Sequence, residues 1–276
     1  MKPITLSERL RAAASMVTAG SRAVDVGCDH GFVSIWLVEQ GISPSVLAMD
    51  VRSGPLSAAK EHIAERGLEK QIETRLSDGL HNYNIGEADT LICAGMGGGL
   101  MRRILTDDKE KTASFHELVL APQSEVEQFR AWLREQGYTV VYENMIEEDG
   151  KFYPMMRVET GFQSMELCKP EMSRMTENGS RRDSAGIKQA EDAVFKGEVR
   201  GEVLCKLQDR YGALLLKNRN RTLEAYLRRE ERIYTDILEN LQAQGLSEER
   251  RRGRHAEITQ LLAECRMALE WFMPGV

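Results

Sequence analysis

An α/β fold is predicted: a doubly wound, mostly parallel sheet followed by a C-terminal helical hairpin of coiled-coil type. Three observations carry that expectation. Short apolar runs alternate with amphipathic stretches from Ala23 to Gln136, two β-rich runs meet at Asp149-Gly150, and apolar residues recur at three- and four-residue steps beyond Gly212.

Taken in order, Thr5 or Ser7 is placed to cap a first helix carrying Leu6, Leu10, Ala13, Ala14 and Val17 on one face, closed by Gly20. Strands are expected at Ala23–Val26, Val46–Asp50, Gln71–Leu76, Thr90–Ala94 and Leu118–Ala121. Helices are expected at Phe32–Glu39, Leu56–Arg66, Leu100–Leu105 and Val126–Gln136, with Gly67 and Gly137 at helix ends. Tyr138–Met145 and Phe152–Val158, separated by Glu147-Glu148-Asp149-Gly150, read as a closing antiparallel hairpin with a reversed last strand. This first domain spans residues 1–161. Residues 162–211 read as an insertion or connector, partly helical, with an exposed loop at Asn178-Gly179-Ser180-Arg181-Arg182. Residues 212–276 hold two amphipathic helices. The first runs on Leu223, Leu227, Tyr234, Ile237 and Leu241, the second on Ile258, Leu261, Cys265, Leu269 and Phe272, with a Gly245-containing turn between them.

With 276 residues, 42% of them hydrophobic, the chain can bury one full domain and a smaller addition. A net charge of −6 does not advertise nucleic-acid binding, although a local basic face can outweigh it. The five cysteines are dispersed, with no C-x-x-C pair and no histidine at metal-ligand spacing, so no metal site is expected and the thiols fit a reducing compartment. Charges at Lys2, Glu8, Arg9 and Arg11 break any signal-peptide core, and no run reaches membrane-spanning length. A cytoplasmic protein with no membrane partner is expected, monomeric unless the coiled coil self-associates.

The chemistry is concentrated in Asp25-Val26-Gly27-Cys28-Asp29-His30-Gly31, a strand, a glycine-punctuated turn and the start of a helix. Gly27 and Gly31 let a ligand approach the backbone, and the helix start offers unpaired N–H groups. The spacing is Gly-x-x-x-Gly rather than G-x-G-x-x-G, and Asp25 and Asp29 would repel a pyrophosphate. An amino-acid ammonium or a sulfonium would be attracted, so the turn points to S-adenosylmethionine (SAM) rather than a dinucleotide. Asp25, Asp50, Asp78 and Gly95 all fall at or near strand ends, where a doubly wound sheet holds its ligand. Asp50 suits the ribose hydroxyls, with Val51 beside it in the cofactor set; the plainer role is capping the next helix. Asp78 and Gly79 suit the adenine amine, or form an ordinary Asp-Gly turn. Cys93-Ala94-Gly95-Met96-Gly97-Gly98-Gly99 has more glycine than packing readily explains and lies where an acceptor base would sit; a disordered loop is the plainer reading, disfavoured by the buried strand that Leu91–Ala94 suggests. His30 either meets the methionine carboxylate or caps the helix. Cys28 reads as packing, not as a nucleophile. Tyr153 is either a base-stacking residue or part of the hairpin core, the core reading being preferred. A Rossmann-like class I methyltransferase sheet is the fold class these residues suit.

The set Ser7-Glu8-Arg9-Leu10, Asp25-Val26-Gly27-x-Asp29-His30, Ala94-Gly95-Met96-Gly97-Gly98, Pro122-Gln123 and Glu148-Asp149-Gly150-Lys151-x-Tyr153 resembles the bacterial tRNA (adenine(22)-N1)-methyltransferase family. The resemblance covers Leu6 to Glu159 and resumes at Tyr211-Gly212-Ala213-Leu214-Leu215 and the helix after it. It implies a SAM-dependent enzyme acting on tRNA, with a Rossmann-like domain and a C-terminal coiled coil. Arg9, Asp25, Gly27, His30, Gly31, Asp50, Val51, Asp78, Gly79, Gly95 and Met96 would bind the cofactor. Asp29 and Gln123 would serve the reaction, Asp29 by stabilising charge developing on the base. Cys28, Gly31 and Gln123 depart from the family's usual Ser, Ala and Asn, and the connector is long.

From Lys217 to His255 ten Lys/Arg stand against seven acids, so the hairpin is the basic part of an acidic chain. Phosphate contact is one use; a solvated face with i,i+4 pairs is the other, the former suiting Arg250–Arg254 better. Two rival functions remain open at this level. A small-metabolite methyltransferase would carry a closed lid over Gly95; the other rival is a non-catalytic SAM-binding or scaffold protein assembling through its coiled coil, and Asp25, Asp50 and Asp78 together argue against lost cofactor binding.

Overall fold

The structure, a computed structural model, describes residues 4–160, 201–241 and 248–273. The loop expected at Asn178–Arg182 and the turn around Gly245 lie outside the described residues.

Seven strands form one sheet: β1 (Ala23–Val26), β2 (Val46–Asp50), β3 (Ile72–Leu76), β4 (Thr90–Ala94), β5 (Glu117–Ala121), β6 (Thr139–Glu148) and β7 (Lys151–Glu159). Their order is β3-β2-β1-β4-β5-β7-β6. The first five are parallel, with Asp25 opposite Ala48 and Ile92. β7 runs antiparallel to β5 and to β6, which takes the edge. Strands covered on both faces must be apolar throughout, which is why β1, β2, β4 and β5 are continuous runs rather than alternations.

Helices α1 (Glu8–Ala14), α2 (Phe32–Glu39) and α3 (Ser53–Glu65) lie on one face, packing Ile35, Leu37, Ala59 and Ile63 on Val46, Ala48, Ile92 and Val119. Helices α4 (Gly98–Asp107), α5 (Lys109–Ala113) and α6 (Val126–Glu135) follow later strands. On the other face Met101, Leu105, Phe129 and Leu133 pack on Met49, Leu91, Cys93, Leu118 and Leu120.

Several boundaries move from the expected ones. α3 begins at Ser53, three residues early, because Pro55 sits in the first turn, where its missing N–H costs nothing. The hairpin strands reach Glu148 and restart at Lys151, leaving a two-residue turn at Asp149 (φ 51°) and Gly150 (φ 70°). Both positive φ angles suit an Asp-Gly turn matched to strand twist. Glu147 and Glu148 are therefore strand residues, paired with Phe152 and Lys151.

Residues 201–211 are helical (α7) and are followed by α8 (Ala213–Lys217), α9 (Arg221–Asn240) and α10 (Glu248–Leu269). Leu207 and Tyr211 of α7 share a third core with Leu215, Leu223, Leu227, Cys265, Ala268 and Met145 of β6. The end of the stretch read as connector thus packs with the C-terminal helices. α9 and α10 pack on each other, and the Cys265 thiol donates to the Leu227 carbonyl at 3.2 Å. In α10 it is Leu262, not Leu261, that is buried beside Ile258 and Cys265.

Candidate active site

The carboxyl ends of the parallel strands form the site. After β1 the chain turns sharply, with the Gly27 and Cys28 N–H groups both donating to the Met49 carbonyl at 2.8 and 3.0 Å. Gly27 (φ 77°) and Gly31 (φ 75°) take left-handed conformations. A Cβ on Gly27 would stand 2.8 Å from Met96 Cε, and one on Gly31 would stand 3.0 Å from Ala59 Cβ. The left-handed backbone favours glycine at both places, although Met96 Cε, the end of a flexible side chain, could give way to a Cβ on Gly27. Asp29 is left-handed too, at φ 49°, a conformation Asp tolerates better than most residues.

The acids occupy distinct environments. Asp25 is buried under the turn, where the Ser34 hydroxyl donates to its Oδ2 at 2.8 Å. Burial pushes its carboxyl up to about 6, against the Ser34 hydrogen bond and with help from the Asp50 charge. In the free protein its stabilising contribution is complete below the ordinary carboxylate range, near 4, and is lost as pH rises to about 6. Asp25→Asn should therefore flatten the pH dependence of urea unfolding between pH 4 and 6; an unchanged slope would contradict this.

Asp50, also buried, ties the site together. Its Oδ2 accepts the Asp29 N–H at 3.1 Å and its Oδ1 the Arg52 N–H at 2.8 Å. It does help to start α3, and it leaves lone pairs for a ligand. Arg52 lies 3.7 Å from both Asp29 Oδ1 and Asp50 Oδ1. The Asp29 side chain is 59% exposed, with His30 Nε2 at 3.8 Å. His30 caps nothing: α2 starts at Gly31 without a side-chain cap, so its first N–H groups face the turn. The His30 ring stacks on Phe32 and its carbonyl meets His62 Nδ1 at 3.0 Å. Val51 is exposed. Asp78 is exposed and ion-paired to Arg103 at 2.9 Å, while Gly79 (φ 54°) passes Ile104 so closely that a Cβ would lie at 3.1 Å. Burial and the neighbouring acids raise the Cys28 thiol far above its usual value, which suits packing and not nucleophilic attack.

Beyond β4, Gly95 (φ 89°) and Met96 lead to Gln123, whose N–H donates to the Met96 carbonyl at 3.0 Å. Of the glycines that follow, Gly98 is explained by packing, since a Cβ there would meet the Ser124 carbonyl oxygen at 2.8 Å. A cleft here is lined by Arg9, Leu10, Ala94, Gly95, Ala121, Gln123, Tyr153 and Met155. Tyr153, expected in the hairpin core, is half-buried on its wall, with the Arg9 guanidinium 5.2 Å from its ring centre. Arg9 also pairs with Glu148 at 3.3 Å. Glu148 and Arg52 are not among the site residues read from the sequence, although Glu148 lies in the Glu148-Asp149-Gly150-Lys151-x-Tyr153 motif; each matters through a partner on another element. No group of three or more potential metal ligands occurs among the described residues.

A parallel sheet whose strand ends carry a glycine turn, buried acids and an adjoining cleft defines a Rossmann-like methyltransferase, and residues 6–156 match the methyltransferase-domain family model. The chain is 34% identical over 161 residues to the tRNA (adenine(22)-N(1))-methyltransferase of Bacillus subtilis, covering 58% of this chain and 68% of that one. It belongs to that family. It is also 32% identical over 149 residues to a candidate tRNA methyltransferase of Mycoplasma pneumoniae, covering 54% of this chain and 68% of that one. A Streptococcus pneumoniae protein, described as a candidate tRNA (m1A22) methyltransferase, has a solved structure 26% identical to this chain. The TM-score is 0.72, over 96% of this chain and all 100% of that one. The same protein in complex with SAM gives 25% identity and a TM-score of 0.71, again over 96% of this chain and 100% of that one.

Proposed function

We propose that this protein methylates N1 of an adenine in tRNA, at the position-22 base that gives its family its name, with SAM as donor. The observation that carries the reading is the cleft at the ends of β4 and β5, which adjoins the acid-lined turn through Gly95 and Met96. The residues fit SAM. The left-handed glycine turn presents bare backbone, and the uncapped start of α2 suits the methionine carboxylate. Asp25 would serve the ammonium side, Asp50 with Val51 would hold the ribose, and Asp78 with Gly79 would border the adenine.

Bound SAM supplies an electrophilic methyl group. Adenine N1 already carries an in-plane lone pair, so no strong base is needed before attack. The protein's part is to orient the base and exclude water, with Gly95, Met96 and Gln123 holding its edge. Asp29, exposed beside the turn, offsets positive charge growing on the base. Asp29→Asn keeps the left-handed backbone and should lower turnover about a hundredfold while changing SAM affinity less than threefold; equal losses would make Asp29 a cofactor ligand only.

Lys217, Arg221, Arg250 and Arg251 make no ion pair or hydrogen bond among the described residues, whereas Arg228, Arg252 and Arg254 pair with Glu224, Glu248 and Glu257. The unpaired set is offered to tRNA phosphates, so binding should weaken steeply with salt. A monomer acting in the cytoplasm is the simplest state; no described helix is long and apolar enough to cross a membrane. The deciding experiment incubates the protein with unmodified tRNA and labelled SAM, then identifies nucleosides by mass spectrometry. N1-methyladenosine is expected; its absence despite measured SAM binding would overturn the assignment.

A further inference from the structure

We infer that Glu148 is a positioning residue for the acceptor base, acting through Arg9; the inference rests on the function proposed above. Glu148 stands at the end of β6, beside the Asp149-Gly150 turn, and its two carboxylate oxygens do different work. Oε1 accepts the Glu8 N–H at 2.6 Å, and Oε2 lies 3.3 Å from Arg9 Nε. The first contact replaces a missing cap, since Ser7, at the N-cap of α1, makes no side-chain bond. One acid on the hairpin thus fixes both the start of α1 and the direction of the Arg9 side chain.

That direction matters because Arg9 lies over the Tyr153 ring, and both line the cleft with Gly95 and Gln123. A planar guanidinium on an aromatic face makes a flat wall suited to a nucleobase. Its charge would be harmful there if left alone. Methylated N1 makes the product base cationic, and a bare guanidinium would oppose that charge as it moves toward the acceptor. Glu148 cancels the charge and leaves the flat surface. Arg9 belongs by this argument to the acceptor wall and not to the cofactor set that the family resemblance implies for it.

Glu148→Gln tests the charge role, because the amide oxygen can still accept the Glu8 N–H. In the full chain kcat on tRNA should fall about tenfold, the scale of one ion–ion interaction at a partly exposed site, with SAM affinity and Tm unchanged. Adding Arg9→Met to Glu148→Gln removes the bare cation and should recover part of that loss, an effect no purely structural role produces. An unaltered kcat in Glu148→Gln overturns the inference, as does a parallel loss of SAM affinity or a fall in Tm that accounts for the loss. Wild-type enzyme that makes no N1-methyladenosine would instead remove the proposed function, and this inference with it.

Discussion

Glu143→Ala is expected to lower the unfolding free energy by about 3–5 kcal/mol, because it strands a buried arginine. The Glu143 and Arg130 side chains are 2% and 5% exposed and meet at 2.9 Å. The pair joins three parts of the chain. Arg130 of α6 donates to the Arg210 carbonyl at 3.1 Å, and Glu143 of β6 accepts the Leu214 N–H at 2.9 Å. Gly212 (φ 95°) passes between them so closely that a Cβ would stand 2.7 Å from Glu143 Oε1. Arg130 Nη2 already lacks a partner, so once the carboxylate is gone the buried charge is held by neutral carbonyls alone, those of Asp209 and Arg210. The joint lies at the β6 edge, four strands from β1, and SAM affinity should barely change. Arg130→Met combined with Glu143→Leu should recover most of the stability, since a buried ion pair earns little over a packed apolar pair. Urea unfolding followed by circular dichroism checks both; a loss below about 1 kcal/mol in Glu143→Ala would mean that water replaces the carboxylate.

This joint also shows what a sequence conceals. β1, β2, β4 and α2 could be bounded to the residue because an apolar run, a glycine or an acid marks each end. The glycine turn was legible for a related reason: its function needs missing side chains, and those are visible as letters. Arg130 and Glu143 carry no such mark. Each is an ordinary charged residue on an amphipathic element, and only the tertiary register makes the pair buried. Tyr153, for which the core reading is the one its local pattern favours, is a similar case. Aromatic residues in a hairpin usually pack, and its place on a cleft wall depends on α1 arriving beside β7 with Arg9 extended. Within the Gly97-Gly98-Gly99 run, Gly98 is required by the close approach of the Ser124–Glu125 backbone, a contact between elements that the letters do not show, while Gly97 and Gly99 face side chains of the same two residues. Propensity predicts elements well where local signals decide; sites made between elements depend on distances that no local pattern encodes.

Asp50→Ala should weaken SAM binding about a hundredfold, more than any other single acid removed from the turn. Its carboxylate is buried at the end of β2, and two of its roughly four lone-pair positions are used by the Asp29 and Arg52 N–H groups. Two remain for the ribose hydroxyls in the proposed pose. A hydrogen bond to a charged acceptor is worth about 1.5–3 kcal/mol, so losing two reaches the tenfold-per-1.4 kcal/mol scale twice over. Alanine also unties Asp29 from β2, which loosens the turn itself. Asp50→Asn keeps one acceptor oxygen and should lose only about tenfold. Asp78→Ala should cost less than Asp50→Ala, because Asp78 is exposed and shares its charge with Arg103. Isothermal titration with SAM gives the order, and Tm without SAM separates lost contacts from a collapsed turn. Equal affinities in Asp50→Ala and wild type would leave Asp50 as a structural tie between β1 and β2, and the ribose would need another acceptor along the same strand ends.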